Sequence, residues 1–212
     1  MSKIRIYLFC LVLAILSNFS IFSLKAQTDE EVLQVANREY PLFLESIPAG
    51  KERLFGFTNT EEISFTKPGM PFRIYTIPDE LLKSGKPALN TLLVPADLWK
   101  VPIVYRNGDI RTFITISKVS DELRAVSFQG SELAKQLNKY KPRFKEQYSK
   151  IGIVQLTDKS EFLLLVPADK KLHEGRLYPL NSALAKYPAF TKKKKTSFSM
   201  QEVVNIVKGK KK

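Results

Sequence analysis

Two runs of β-branched and aromatic residues, 101–105 and 110–117, alternate apolar with polar positions and are separated by Arg106-Asn107-Gly108-Asp109. Period-two alternation marks a half-buried strand. Asn-Gly is the preferred pair for a two-residue type I′ turn, because both of its positions need positive φ. The spacing predicts a hairpin in which Arg106 faces Asp109, Tyr105 faces Ile110, Ile103 faces Thr112 and Val101 faces Ile114. Val101, Ile103, Tyr105, Ile110, Ile114 and Ile116 then share one dry face, since a slip of one residue would turn them all to water. Arg111, Thr115 and Ser117 take the other face, with Phe113 as the exception. Ser120-Asp121-Glu122 predicts the next turn and residues 124–128 a third strand, while Trp99 ahead of the meander reads as a core anchor. Beyond it, Ser131 is a candidate N-cap for a helix on which Leu133, Ala134, Leu137 and Tyr140 recur at helical spacing up to Pro142.

The flanking chain reads in the same way. Thr28 with Glu31 makes a capping box for an amphipathic helix carrying Val32, Leu33, Val35 and Ala36, which Pro41 breaks or kinks. Residues 54–57 predict a short strand. Asn59 or Thr60 caps a helical turn through Glu61 and Glu62, with a strand at 63–65 as the other reading of that piece. Residues 71–77 form a strand with Phe72, Ile74 and Thr76 opposite Arg73 and Tyr75. Residues 151–157 and 161–166 predict a second hairpin, and the unbroken apolar run 162–166 implies a strand covered on both faces. A short strand at 176–180 and a brief helix after Asn181 follow. The segment Leu-Leu-Val-Pro-Ala-Asp occurs twice, at 92–97 and 164–169, with unrelated flanks. Proline cannot donate to a ladder and Asp favours turns, so each copy reads as a strand end and not as a repeat unit.

These elements predict an α+β fold: an antiparallel β-sheet, chiefly a meander, of about five to seven strands, packed by the N-terminal helix and a second helix after the meander. Residues 1–26 carry Lys3 and Arg5, then an apolar segment, then Ala26 before Gln27, which is the grammar of a secretory signal peptide. The expectation is an exported chain, periplasmic or secreted after cleavage near Ala26, with an uncleaved membrane anchor as the alternative. A single globular domain is expected over 27–190, and a Lys-rich tail with a short amphipathic helix over 191–212. Cys10 leaves with the leader, so the mature chain contains no disulfide and is held by packing.

Charge changes the picture in one place. The net charge of +13 becomes +10 after the leader is removed, and +7 of that sits in residues 191–212. The high pI is therefore a property of the tail. Ser199 with Glu202 forms another capping box there, and Met200, Val203, Val204 and Val207 line one side of the helix it starts. Lys192, Lys193, Lys194, Lys195, Lys208, Lys210, Lys211 and Lys212 are the candidate residues for binding an anionic surface, where each lysine contributes about 1 kcal/mol. The apolar side of the short helix is a candidate for shallow insertion. Nucleic acid is disfavoured because the chain is exported and the tail has one aromatic residue.

The sequence points to no catalytic residues, no metal ligands and no cofactor. His173 is the only histidine and lies in a polar stretch, no Gly-x-Ser-x-Gly elbow occurs, and the nine glycines fit no phosphate-binding spacing. The acid pairs Glu61-Glu62 and Asp121-Glu122 fall where caps and turns want acids. The reading is an exported, non-catalytic binding or accessory module of a bacterial envelope with an unidentified envelope or secreted partner, tethered to an anionic membrane or polymer surface by its tail. The alternatives are a small hydrolase using Asp, Glu or Ser residues, and a protease-inhibitor or propeptide-like module.

Overall fold

The computed structural model describes residues 28–83, 88–143 and 148–210, so the leader lies outside the described residues. In chain order its elements are α1 (Asp29–Glu45), α2 (Thr60–Ile63), β1 (Thr66–Pro68), β2 (Phe72–Ile77), α3 (Asp79–Lys83), β3 (Val94–Tyr105), β4 (Ile110–Val119), β5 (Glu122–Phe128), α4 (Ser131–Asn138), β6 (Tyr148–Leu156), β7 (Glu161–Pro167), β8 (Arg176–Pro179), α5 (Asn181–Lys186), α6 (Ala189–Lys192) and α7 (Met200–Lys210). The fold is mixed α+β, with an N-terminal helix against a large, mostly antiparallel sheet. Eight strands run in the order β5-β4-β3-β2-β6-β7-β8, with β1 beside β3. This exceeds the expected count, and one junction departs from the antiparallel plan. β2 and β6 pair in parallel, from Arg73 opposite Gly152 to Ile77 opposite Leu156, and so join two antiparallel halves.

β3 organises the first half. Its early residues pair with β2, Phe72 opposite Lys100 and Thr76 opposite Val94. Its late residues pair with β1, Thr66 opposite Tyr105 and Pro68 opposite Ile103. The strand therefore begins seven residues before the alternation at Val101, because β2 supplies a partner for a stretch whose own pattern is irregular. Against β4 the expected register holds for Val101 opposite Ile114 and Ile103 opposite Thr112. A bulge after Ile103 then sets Val104, and not Tyr105, opposite Ile110.

The turn explains that shift. Gly108 N–H donates to the Tyr105 carbonyl at 2.7 Å and Tyr105 N–H donates to the Asp109 carbonyl at 2.8 Å. Within the loop only Gly108 has positive φ, at 81°. This is a three-residue loop closed by a glycine bulge, not the expected type I′ turn. The mirror-image turn occurs instead between β4 and β5. There Ser120 and Asp121 have φ of 49° and 68°, and Val119 pairs with Glu122.

Three clusters make the core. Trp99, Val101, Ile103, Ile114 and Ile116 lie beneath Val32, Ala36 and Phe43 of α1. On the other face Phe72, Ile74, Ile110 and Phe113 meet Leu133, Ala134 and Leu137 of α4, together with Leu163 and Leu165 of β7. Ile110 thus belongs to the face opposite Ile114, as the bulge requires. Asn138 pins α4 to that strand by accepting from Ile110 N–H and donating to its carbonyl, both at 2.8 Å. The third cluster sets Ile77, Val154, Phe162, Leu164 and Val166 against Phe198, Met200, Val203, Val204 and Val207. Phe162 to Val166 alternate between the second and third clusters, so β7 is buried on both faces as its unbroken apolar run implies.

Several local expectations are revised. The capping box of Thr28 and Glu31 forms, but α1 continues through Pro41 to Glu45. Residues 54–57 are not a strand. A 3-10 turn, Glu52–Phe55, ends at Gly56 with φ of 90°, and a Cβ there would stand 2.1 Å from the Arg111 carbonyl oxygen. Asn59 caps α2, its side-chain oxygen accepting from Glu62 N–H at 2.9 Å. Ser131 is the first residue of α4 and not its cap; Gly130, at φ of 133°, takes the cap position against the ring of Phe113. The two Leu-Leu-Val-Pro-Ala-Asp segments are not equivalent, since Val94 opens β3 while Pro167 closes β7.

Candidate functional site

The tail is folded into the domain. Ser199 and Glu202 cap α7 reciprocally: Ser199 N–H donates to the Glu202 carboxylate at 2.9 Å, and Glu202 N–H donates to the Ser199 hydroxyl at 3.3 Å. Lys195 adds an ion pair to Glu202 at 2.8 Å. The Lys195 ammonium, with the Ser199 N–H, holds the Glu202 carboxyl well below the usual carboxylate range, down to about 2. The cap fixes the direction of α7, and Phe198, Met200, Val203, Val204 and Val207 are each no more than 1% exposed. The stripe expected to be free for a membrane surface is core. Packing therefore extends past residue 190 and through Val207.

With the apolar side turned inward, the lysines are left outside. Lys192 ends α6, Lys193 follows it, and Lys194 turns the chain in the left-handed region with φ of 49°. All four of Lys192 to Lys195 are exposed. Lys195 is held by Glu202, whereas the side-chain ammonium groups of Lys192, Lys193 and Lys194 make no ion pair or hydrogen bond among the described residues. Lys208 is half-buried on α7 and has a partner. Lys210 ends the helix, and Lys211 and Lys212 lie outside the described residues. Among the described residues the candidate lysines thus fall into two sets, Lys192 to Lys195 ahead of α7 and Lys208 and Lys210 in its last turn.

α6 brings Lys192 beside the end of α7. It lies beside the last turns of α7 so that Pro188, Ala189 and Lys192 face Asn205, Ile206 and Gly209 across an open groove of about 500 Å³. Tyr187 also lines it. The Tyr187 hydroxyl donates to Asp158 at 2.6 Å, and burial together with that carboxylate pushes its pKa up, so the ring is held in place as a neutral phenol. Asn205 accepts from Gln201 at 2.9 Å through its carbonyl oxygen. Nothing in the sequence pattern announces this groove, because it depends on how two short helices meet.

The other candidate groups are elsewhere and differently employed. His173 sits half-buried on a 3-10 turn beside a shallow recess shared with Leu89, Asn90 and Leu172. Glu62 is buried at 9% exposure and pairs with Arg111 through Oε1, with Nε at 2.6 Å. Burial raises its pKa, but the Thr58 N–H and the Arg111 guanidinium outweigh that and hold it below the ordinary value. Arg111 also lies 3.7 Å from Asp109, which Lys141 contacts at 2.7 Å, so this charge chain ties α2 and the 3-10 turn after α4 to the β3–β4 hairpin. Asp121 and Glu122 sit in the β4–β5 turn and pair with Lys118 and Arg124. Among the described residues no group of three or more His, Cys, Asp or Glu is placed to hold a metal ion, and no helix is long and apolar enough to cross a membrane.

Comparison of the chain with protein-family models, with curated proteins and with solved structures returned no match.

Proposed function

We propose that this chain is an exported, non-catalytic binding or accessory module of a bacterial cell envelope, held at an anionic membrane or polymer surface by its C-terminal lysines. The observation that carries the reading is the set of three exposed lysines, Lys192, Lys193 and Lys194, which have no counter-charge among the described residues and ride on a turn between two packed helices. Unpaired cations clustered on a rigid support keep their full attraction for an anionic surface. Together these three are worth about 3 kcal/mol near such a surface. Because Phe198, Val203 and Val207 are core, the attachment is electrostatic without apolar insertion. It is therefore screened within a Debye length of about 8 Å at physiological salt.

The test is co-sedimentation with vesicles. The protein pellets with phosphatidylglycerol-containing vesicles at low salt, is released at high salt, and ignores phosphatidylcholine vesicles. The triple variant K192Q/K193Q/K194Q weakens binding about a hundredfold. Binding that persists at high salt, or that survives the triple substitution unchanged, would sink the tether. Deleting residues 191–212 is not a suitable test, because it removes part of the core.

A further inference from the structure

The groove between α6 and α7 has two kinds of wall. Pro188, Ala189, Ile206 and Tyr187 make up its apolar lining (the floor) and Lys192 its cationic lining (the mouth), with Lys193 and Lys194 following along the turn. The Asn205 amide N–H₂ has no partner among the described residues, since only its oxygen is engaged. A bare inorganic anion satisfies the mouth and wastes the floor. An uncharged chain does the reverse. A molecule that is anionic at one end and apolar at the other satisfies both, and about 500 Å³ lies within the usual span of ligand sites.

We infer that the α6–α7 groove seats the glycerophosphate headgroup and first acyl carbons of a single anionic phospholipid, with the phosphate on Lys192 and Asn205 and the chain carbons on Ile206 and Pro188. The inference rests on the surface-tether reading and deepens it: the lysine cluster gathers anionic lipid in general, and the groove selects one molecule from it. Each methylene group seated on the floor adds about fourfold in affinity.

The experiment titrates the protein with short-chain phosphatidylglycerol below its micelle-forming concentration, following backbone amide signals. The controls are phosphatidylcholine of the same chain length and inorganic phosphate. Shifts centred on Ala189, Lys192, Asn205 and Gly209, with phosphatidylglycerol at least about tenfold tighter than either control, support the site. Gly209→Trp supplies the blocking variant. A Cβ at Gly209 meets nothing within 4 Å, so the helix backbone there accepts a side chain, and an unchanged circular dichroism spectrum checks that the variant is folded. A helical side chain leans back over the preceding turn, which here carries Asn205 and Ile206. Gly209→Trp abolishes the response, and Gly209→Ala, which leaves the groove open, retains it. Equal responses to all three ligands, shifts centred elsewhere, or full binding by Gly209→Trp would overturn the inference. Vesicle pelleting is read separately. Pelleting without a short-chain lipid response overturns the groove and leaves the tether standing. A lipid response without pelleting supports the groove and overturns the tether, and neither signal overturns both.

Discussion

Leu177 of β8 and Phe198 ahead of α7 exchange two backbone hydrogen bonds, 2.9 Å from Leu177 N–H and 2.8 Å from Phe198 N–H, as a hydrogen-bonded antiparallel pair. This one bridge extends the sheet beyond β8 and delivers Phe198 to a buried position, where its ring meets Phe190 edge-on at 4.9 Å. The bridge sets the start of the segment that the Ser199–Glu202 cap and the packing of Val203, Val204 and Val207 then hold. Phe198→Ala is expected to destabilise the fold by about 4 kcal/mol, the range for emptying a buried aromatic site. Urea denaturation followed by circular dichroism measures it. A chain cut after residue 190 should lose its cooperative transition altogether, and an unchanged midpoint in either case would show that α7 is an appendage.

The β4–β5 turn places Ser120 and Asp121 in the left-handed region, which aspartate tolerates better than serine and asparagine and glycine suit best. Replacing the pair with Asn-Gly should stabilise the protein by about 1 kcal/mol. Gly108→Ala, at the loop that closes with a glycine bulge, should cost about 1 kcal/mol. Paired thermal melts compare the two, and a stabilising Gly108→Ala would contradict the turn assignment.

Glu62 and Arg111 form a largely buried pair, and removing one partner strands the other. Glu62→Gln and Arg111→Met should each cost about 3 kcal/mol, while the double variant should cost clearly less than the two together. Additive losses would show that the two side chains contribute independently.

Acid should loosen the tail helix early. The carboxyl of Glu202 titrates lower in the folded chain, at about 2, than in the unfolded one. Its stabilising effect is therefore complete above the ordinary Glu range near 4.3 and is lost as pH falls through the folded value. Glu62, whose pKa is also lowered, acts in the same direction. Stability should decline below pH ~4, and Glu202→Gln should flatten that decline while costing about 1 kcal/mol at neutral pH. A variant with the wild-type acid slope would remove the Lys195–Glu202–Ser199 arrangement from the account.

Much of the fold was legible in the residue pattern, where neighbours in sequence are also neighbours in space. The capping boxes at Thr28 and Ser199 form as their spacing implies, because cap and partner lie within one helical turn. The pairing of Val101 with Ile114 follows from alternation on either side of a short loop. The buried run from Phe162 to Val166 is simply too apolar for either of its faces to meet water.

What the pattern left open is whatever depends on partners distant in the chain. The parallel junction of β2 with β6 has no local signature, since an extended apolar strand pairs equally well with either neighbour. The type of the Asn107-Gly108 turn was settled by the bulge at Val104 and the seat of Ile110 beneath α4, not by the dipeptide. The candidate lysines were visible as a charge run, but the groove beside Lys192 was not. The stripe of Met200, Val203, Val204 and Val207 reads identically whether it meets a lipid surface or a sheet, because an apolar face requires only removal from water. Tertiary structure decided which, by offering Leu164, Val166 and Leu177 as the partner and leaving the polar side of α7 and Lys192 to Lys195 outside.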